Sequence, residues 1–141
     1  MMVFVHAAVG AAIGAGVRKP WLSFVSGAAS HLLCDLVPHK DYDIKIEAPL
    51  AAAMFAYLIK RYGLSSPQVI GAFGGIAPDG ENAAAALGII PADSTVFPTH
   101  NDKKPWFVGH GAKVPSPISQ VALVIICLAL ADRGHGEEAG V

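Results

Sequence analysis

Apolar residues run through this chain in blocks, at about 2–17, 21–37, 46–59, 67–77 and 118–131, and Pro, Gly and charged residues separate the blocks. None alternates with the period of two that marks a half-buried strand. All are long and rich in Ala and Leu, so each predicts a helix. A short further helix is expected over 81–87, and 91–117 reads as a long polar loop rich in Pro, His and Lys. Loops of that length usually carry function or are disordered. The expected fold is all-α: a small bundle of about five short apolar helices with a long polar loop before the last. At 141 residues the chain is one domain. Residues 1–133 form the helical membrane domain of this reading, and 134–141 a flexible Gly/Glu-rich tail.

Composition pushes the bundle towards lipid. Hydrophobic residues make up 53% of the chain and charged residues only 15%, against about 25% charged in ordinary soluble domains. The expected location is an integral membrane protein of a prokaryotic inner or plasma membrane, with membrane lipid as a partner. The blocks are nonetheless shorter than the roughly 20 residues that a crossing helix needs. Basic residues fall five on each side of the expected crossings, so they set no orientation. The first block has no basic leader region or cleavage site and reads as a retained helix. A net charge of −1 leaves no basic footprint for nucleic acid. Cys34 and Cys127 lie within apolar blocks, as small buried hydrophobes do.

Polar residues inside the blocks carry the candidate chemistry. His31 and Asp35 lie four apart, so they share a helix face about 5–6 Å apart and can reach one cation. His39 follows Pro38 at the chain exit. Imidazole with carboxylate suits zinc, with manganese also considered. His6, Gly10 and Gly14 form a spacing-of-four stripe; so do Ser23, Gly27, His31 and Asp35, and so do Gly71, Gly75 and Asp79. Such small-residue faces let helix backbones approach closely. They would converge His6, His31, Asp35 and Asp79. If the first four helices alternate in direction, these residues, His39, and His100 and His110 of the polar loop all fall at one end. The metal-ligand candidates are therefore His6, His31, Asp35, Asp79, His100, His39 and His110, while His135 in the tail is not one. Pro78 and Gly80 are expected to interrupt the fourth helix and expose Asp79 at an elbow.

The combination of His6-x-x-x-Gly10, Ser30-His31-x-x-x-Asp35-x-x-Pro38-His39, Gly74-x-x-x-Pro78-Asp79 and Phe97-Pro98-x-His100 resembles the membrane-bound metal-dependent hydrolases of bacteria and archaea. The H-x-x-x-D-x-x-P-H element is also similar to the helix motif of zinc-dependent phospholipase C. The likeness spans roughly residues 3–111. It differs at Pro78-Asp79-Gly80-Glu81, where that family has P-D-x-D, and at His100-Asn101-Asp102, where it has H-R-G-x-x-H-S. The resemblance implies hydrolysis of a phosphoester, as a membrane lipid or another membrane-associated substrate. It implies a divalent metal, Glu81 or Asp41 as catalytic base, and Lys103 or Lys104 against the phosphate charge. The competing expectations are a non-catalytic metal-binding membrane protein, a small transport or partner subunit, and a soluble bundle whose short blocks are simply core.

Overall fold

Among the described residues of the computed structural model, five α-helices follow one another: α1 Val3–Val17, α2 Pro20–Leu36, α3 Ile44–Tyr62, α4 Pro67–Ala86 and α5 Ile118–Ala139. A 3₁₀ turn, Ala92–Ser94, lies in the loop before α5. The structure describes residues 1–114 and 116–139. The side chains of 135–139, His135 among them, and residues 140 and 141 lie outside that description; the backbone of 134–139, in the expected tail, continues α5.

The helix ends follow local chemistry. Arg18 closes α1 in the left-handed region, φ 63°, donating its N–H to the Gly14 carbonyl at 2.9 Å. Pro20 then opens α2 at a position where a missing N–H costs nothing. Asp43 caps α3 by accepting the Lys45 N–H at 2.9 Å, Gly63 ends it at φ 85°, and Ser66 caps α4 through the Val69 N–H at 3.2 Å.

α1 is apolar all round, and so it is the helix the others enclose. It packs against α2, α3, α4 and α5. Ala7, Ala8, Ala11 and Ala15 build a core with Leu58, Tyr62, Val69, Ala72, Cys127 and Ala131. Both cysteines are free and buried. The glycine stripes lie where the helices meet. A Cβ on Gly10 would strike the Gly71 carbonyl of α4, and one on Gly27 of α2 would strike the same carbonyl. Three helices thus share a contact no bulkier residue permits.

Two expectations change. The fourth block and the short helix expected over 81–87 are one continuous α4, with Pro78 inside it. Proline removes one ladder hydrogen bond, but the turn before it is held against α1 and α2 through Gly71, Gly74 and Gly75, and the helix continues past the gap. Asp79 consequently sits within a helix and not at an elbow. The other change concerns the bilayer: among the described residues no helix is long and apolar enough to cross a membrane. α2 and α4 spend their ends on His31, Asp35, Asp79 and Glu81, and α3 on Lys60 and Arg61, which shortens their apolar stretches.

Candidate metal centre

The start of α1, the end of α2, the second half of α4 and the loop 97–111 meet at one end of the bundle, and all seven candidate ligands lie there. Asp35, 1% exposed, is the hub. Its Oδ2 is 3.2 Å from His31 Nε2 and 3.5 Å from His100 Nε2, and it accepts the Thr99 hydroxyl at 2.7 Å. Its Oδ1 is 3.1 Å from His6 Nε2 and accepts from the Met1 ammonium at 3.1 Å. Asp79 Oδ1 is 3.6 Å from His31 Nε2 and 3.8 Å from His100 Nε2. His6 stacks on His31 with centroids 3.8 Å apart.

The imidazole orientations are set from outside the cluster. His31 Nδ1 lies 2.7 Å from the Gly75 carbonyl, and His39 Nδ1 lies 2.7 Å from the Val37 carbonyl. A carbonyl can only accept, so in both rings Nδ1 carries the proton and Nε2 points inward. There each meets another nitrogen: His31 Nε2 faces His100 Nε2 at 3.2 Å, and His39 Nε2 faces His110 Nε2 at 2.9 Å.

The direction in which His39 points, which Pro38 leaves unspecified in the sequence, is decided by backbone pairing. His39 donates its N–H to Ala112 O at 3.1 Å and accepts from Val114 N–H at 3.0 Å. Gly111 donates to Asp35 O at 2.6 Å, and a Cβ there would strike Val37 O, so only glycine lets the loop lie this close. His39 is thereby buried at 1% exposure, and half-exposed His110 is brought over it.

Charge follows this geometry. Burial pushes the Asp79 carboxyl up to about 6, with the Asp35 charge acting in the same direction and His31 and His100 opposing. Burial also works against charge on Asp35, but the imidazoles of His100, His31 and His6, all within 3.5 Å, and the nearby ammonium hold it well below the carboxylate range. Burial brings His6 down to about 4. It opposes charge on His31 too, but there Asp35 and Asp79 outweigh it and the pKa is raised. Burial lowers His110.

Several buried atoms in this cluster have no hydrogen-bond partner: both His6 ring nitrogens, Asp79 Oδ2 and His100 Nδ1. Orphaned donors and acceptors are expensive in a fold unless a ligand satisfies them. Three overlapping groups offer ligand atoms within 4.8 Å of one another: His6, His31 and Asp79; His31, Asp35 and His100; and Asp35, His39 and His110. These residues could hold a metal ion. A cavity of about 240 Å³ opens beside them, lined by Asp35, Asp41, Glu47, Asp79, His100 and His110 among others.

The residues tied to catalysis by resemblance are placed as follows. Asp41 is on the cavity wall, 3.1 Å from His39 Nε2. Glu81 accepts the Val96 and Phe97 N–H groups at 2.9 and 2.7 Å and sits 3.5 Å from His100 Nδ1, which makes it the anchor of the loop that delivers His100. Glu81→Ala is expected to weaken metal affinity about 10–100-fold, the usual cost of losing a residue that positions a ligand. A competition titration checks this, and unchanged affinity would refute the anchoring role. Lys103 and Lys104 do not line the cavity, and Lys104 Nζ lies over the Trp106 ring, 5.7 Å from its centre.

Three participants escape sequence reasoning. Thr99 offers a signal only through its neighbour His100. Glu47, buried, accepts the Tyr42 N–H at 2.8 Å at the cavity wall. Gln120 of α5 accepts the Met2 N–H and donates to Lys40 O, clamping the chain start against the α2–α3 connection.

No family model matches this chain, and comparisons with curated proteins and with solved structures give no match either.

Proposed function

We propose that the protein is a metal-dependent hydrolase of phosphoesters, with zinc or manganese held by His31, Asp35, His100 and Asp79 and with His6 packed against them. One observation supports the metal in this reading, and the resemblance of the motifs supports the hydrolysis. A tetrahedral ion with ligands at about 2.0–2.1 Å spaces its donors about 3.3 Å apart. Among His31 Nε2, Asp35 Oδ2, His100 Nε2 and Asp79 Oδ1, the separations that fall within 4 Å are 3.2, 3.2, 3.5, 3.6 and 3.8 Å. A bound divalent ion would polarise a phosphoryl oxygen and bring the pKa of its water to about 7.

The chain's own groups do the rest. Thr99 fixes the rotation of Asp35, Gly75 O fixes the tautomer of His31, and Glu81 holds the loop bearing His100. Asp41, 37% exposed on the cavity wall, is the base in this reading and would accept a proton from an attacking water. Carboxylates dominate the cavity lining, so an anionic phosphoester enters only when bound cations offset them. Substrate hydrolysis and metal loading are therefore coupled.

The reading extends to a membrane-lipid phosphoester, because the flanks are apolar. Trp21, Phe24 and Leu33 of α2 and Ile125, Ile126 and Leu130 of α5 are exposed, and the only charged residue of α2, Asp35, points inward. Surfaces of this kind mark contact with lipid or another protein. A lipid-facing flank predicts that the protein stays with membranes through a carbonate wash.

The test is turnover of bis(4-nitrophenyl) phosphate by protein stripped of metal and reloaded with zinc or manganese. Metal-dependent turnover that His31→Ala abolishes is the expected result. Stoichiometric metal without turnover on this or a lipid phosphodiester would make it a binding protein instead.

A further inference from the structure

We propose that the centre holds a second divalent cation, bound by Asp35, His39 and His110, so that Asp35 bridges two metals. This rests on the metal reading above and adds to it a site in which His39 and His110, which that reading does not use, join Asp35.

The outer group has its own geometry. His39 is fixed from behind by the Val37 carbonyl at 2.7 Å, which leaves the Nε2 lone pair facing inward. His110 Nε2 stands 2.9 Å from it, and His110 Nδ1 is 3.9 Å from Asp35 Oδ2. Two imidazole nitrogens at that distance need a proton or a cation between them. Asp41 contributes Oδ1 at 3.1 Å from His39 Nε2 and Oδ2 at 3.8 Å from His110 Nε2, so a carboxylate also faces this position. With His110 offering Nε2, its separations from His39 Nε2 and Asp41 Oδ2 are 2.9 and 3.8 Å, on either side of the roughly 3.3 Å of a tetrahedral shell.

A positive charge already rests in this lobe. The Met1 ammonium lies 2.7 Å from His39 Nε2, 3.1 Å from Asp35 Oδ1 and 3.4 Å from Asp41 Oδ1. It marks where a cation is stabilised, beside Asp35 Oδ1, which also faces His6; Oδ2 is the oxygen that approaches both donor sets, 3.2 Å from His31 Nε2, 3.5 Å from His100 Nε2 and 3.9 Å from His110 Nδ1. A carboxylate oxygen within reach of both donor sets stands where a bridging ligand would. Paired metals clamp the attacking and leaving oxygens of a phosphoryl displacement, and the half-exposed position of His110 places the outer ion on the solvent side of the cavity.

Equilibrium dialysis of metal-stripped protein against zinc, with metal counted by mass spectrometry, tests this. Wild type is expected to bind two equivalents, and His110→Ala and His39→Ala one each, with the α-helical circular dichroism unchanged. His110 is on the loop surface, so its variant reports on binding and not on folding. His31→Ala retains at most the outer ion. Manganese-loaded wild type should further give a spin-coupled paramagnetic resonance signal, replaced by an isolated-ion signal in His110→Ala. A wild type that binds one equivalent, or a His110→Ala protein that still binds two, overturns the second site while leaving the first intact. A wild type that binds none overturns the reading beneath it as well.

Discussion

On the proposed function, Asp35→Asn is expected to bind no metal and to lower hydrolysis at least about 1,000-fold, a barrier increase of about 4 kcal/mol. The substitution preserves shape and removes only charge. In the folded protein that charge faces His6, His31, His100 and the Met1 ammonium, all within 3.5 Å. Removing one partner from a buried ionic group leaves the others uncompensated, typically at about 3–5 kcal/mol. The metal-free variant should therefore also melt well below wild type, read by circular dichroism. The loss of stability should be greatest at neutral pH. The folded-state pKa of Asp35 is depressed, so its contribution is present above the ordinary carboxylate pKa and fades as pH falls through it. An Asp35→Asn protein with full metal content and wild-type turnover would remove the hub from the account.

The second large effect is structural. Gly71→Ala is expected to cost about 3 kcal/mol or more, because the added methyl meets the Gly10 carbonyl, which is backbone and cannot swing away. Since Gly71 lies between α1 and α2, the damage reaches the site: His6 is one turn from Gly10, and His31 one turn from Gly27. Denaturant unfolding measures the loss. Gly16→Ala, where an added Cβ meets nothing, is the control and should leave stability within about 0.5 kcal/mol of wild type. A Gly71→Ala protein as stable as that control would mean that the helices do not pack through the glycine stripes.

Those stripes explain why so much of the site is legible in the sequence. A spacing of four places His6 with Gly10, His31 with Gly27 and Asp79 with Gly75, and close packing of the three glycine faces brings the polar residues together. Local periodicity thus encodes a tertiary fact. The loop is different. His100 and His110 stand out as residue types, but their placement depends on Glu81 accepting from Val96 and Phe97, on Thr99 reaching Asp35, and on the pairing of His39 with residues 112–114. These are contacts between segments far apart in the chain, with no local pattern to announce them. Pro78 misleads for a related reason: local propensity ends a helix there, whereas packing against α1 and α2 carries α4 past it. The apolar composition, read as crossing helices, is distributed instead over short helices whose outer faces remain exposed.

The most direct test of the metal centre is an anomalous difference map at the zinc edge from crystals of zinc-loaded protein. The account predicts a peak enclosed by His31 Nε2, Asp35 Oδ2, His100 Nε2 and Asp79 Oδ1, absent from Asp35→Asn. No peak among these atoms, in protein that diffracts and retains the His31–Asp35 contact, would contradict it.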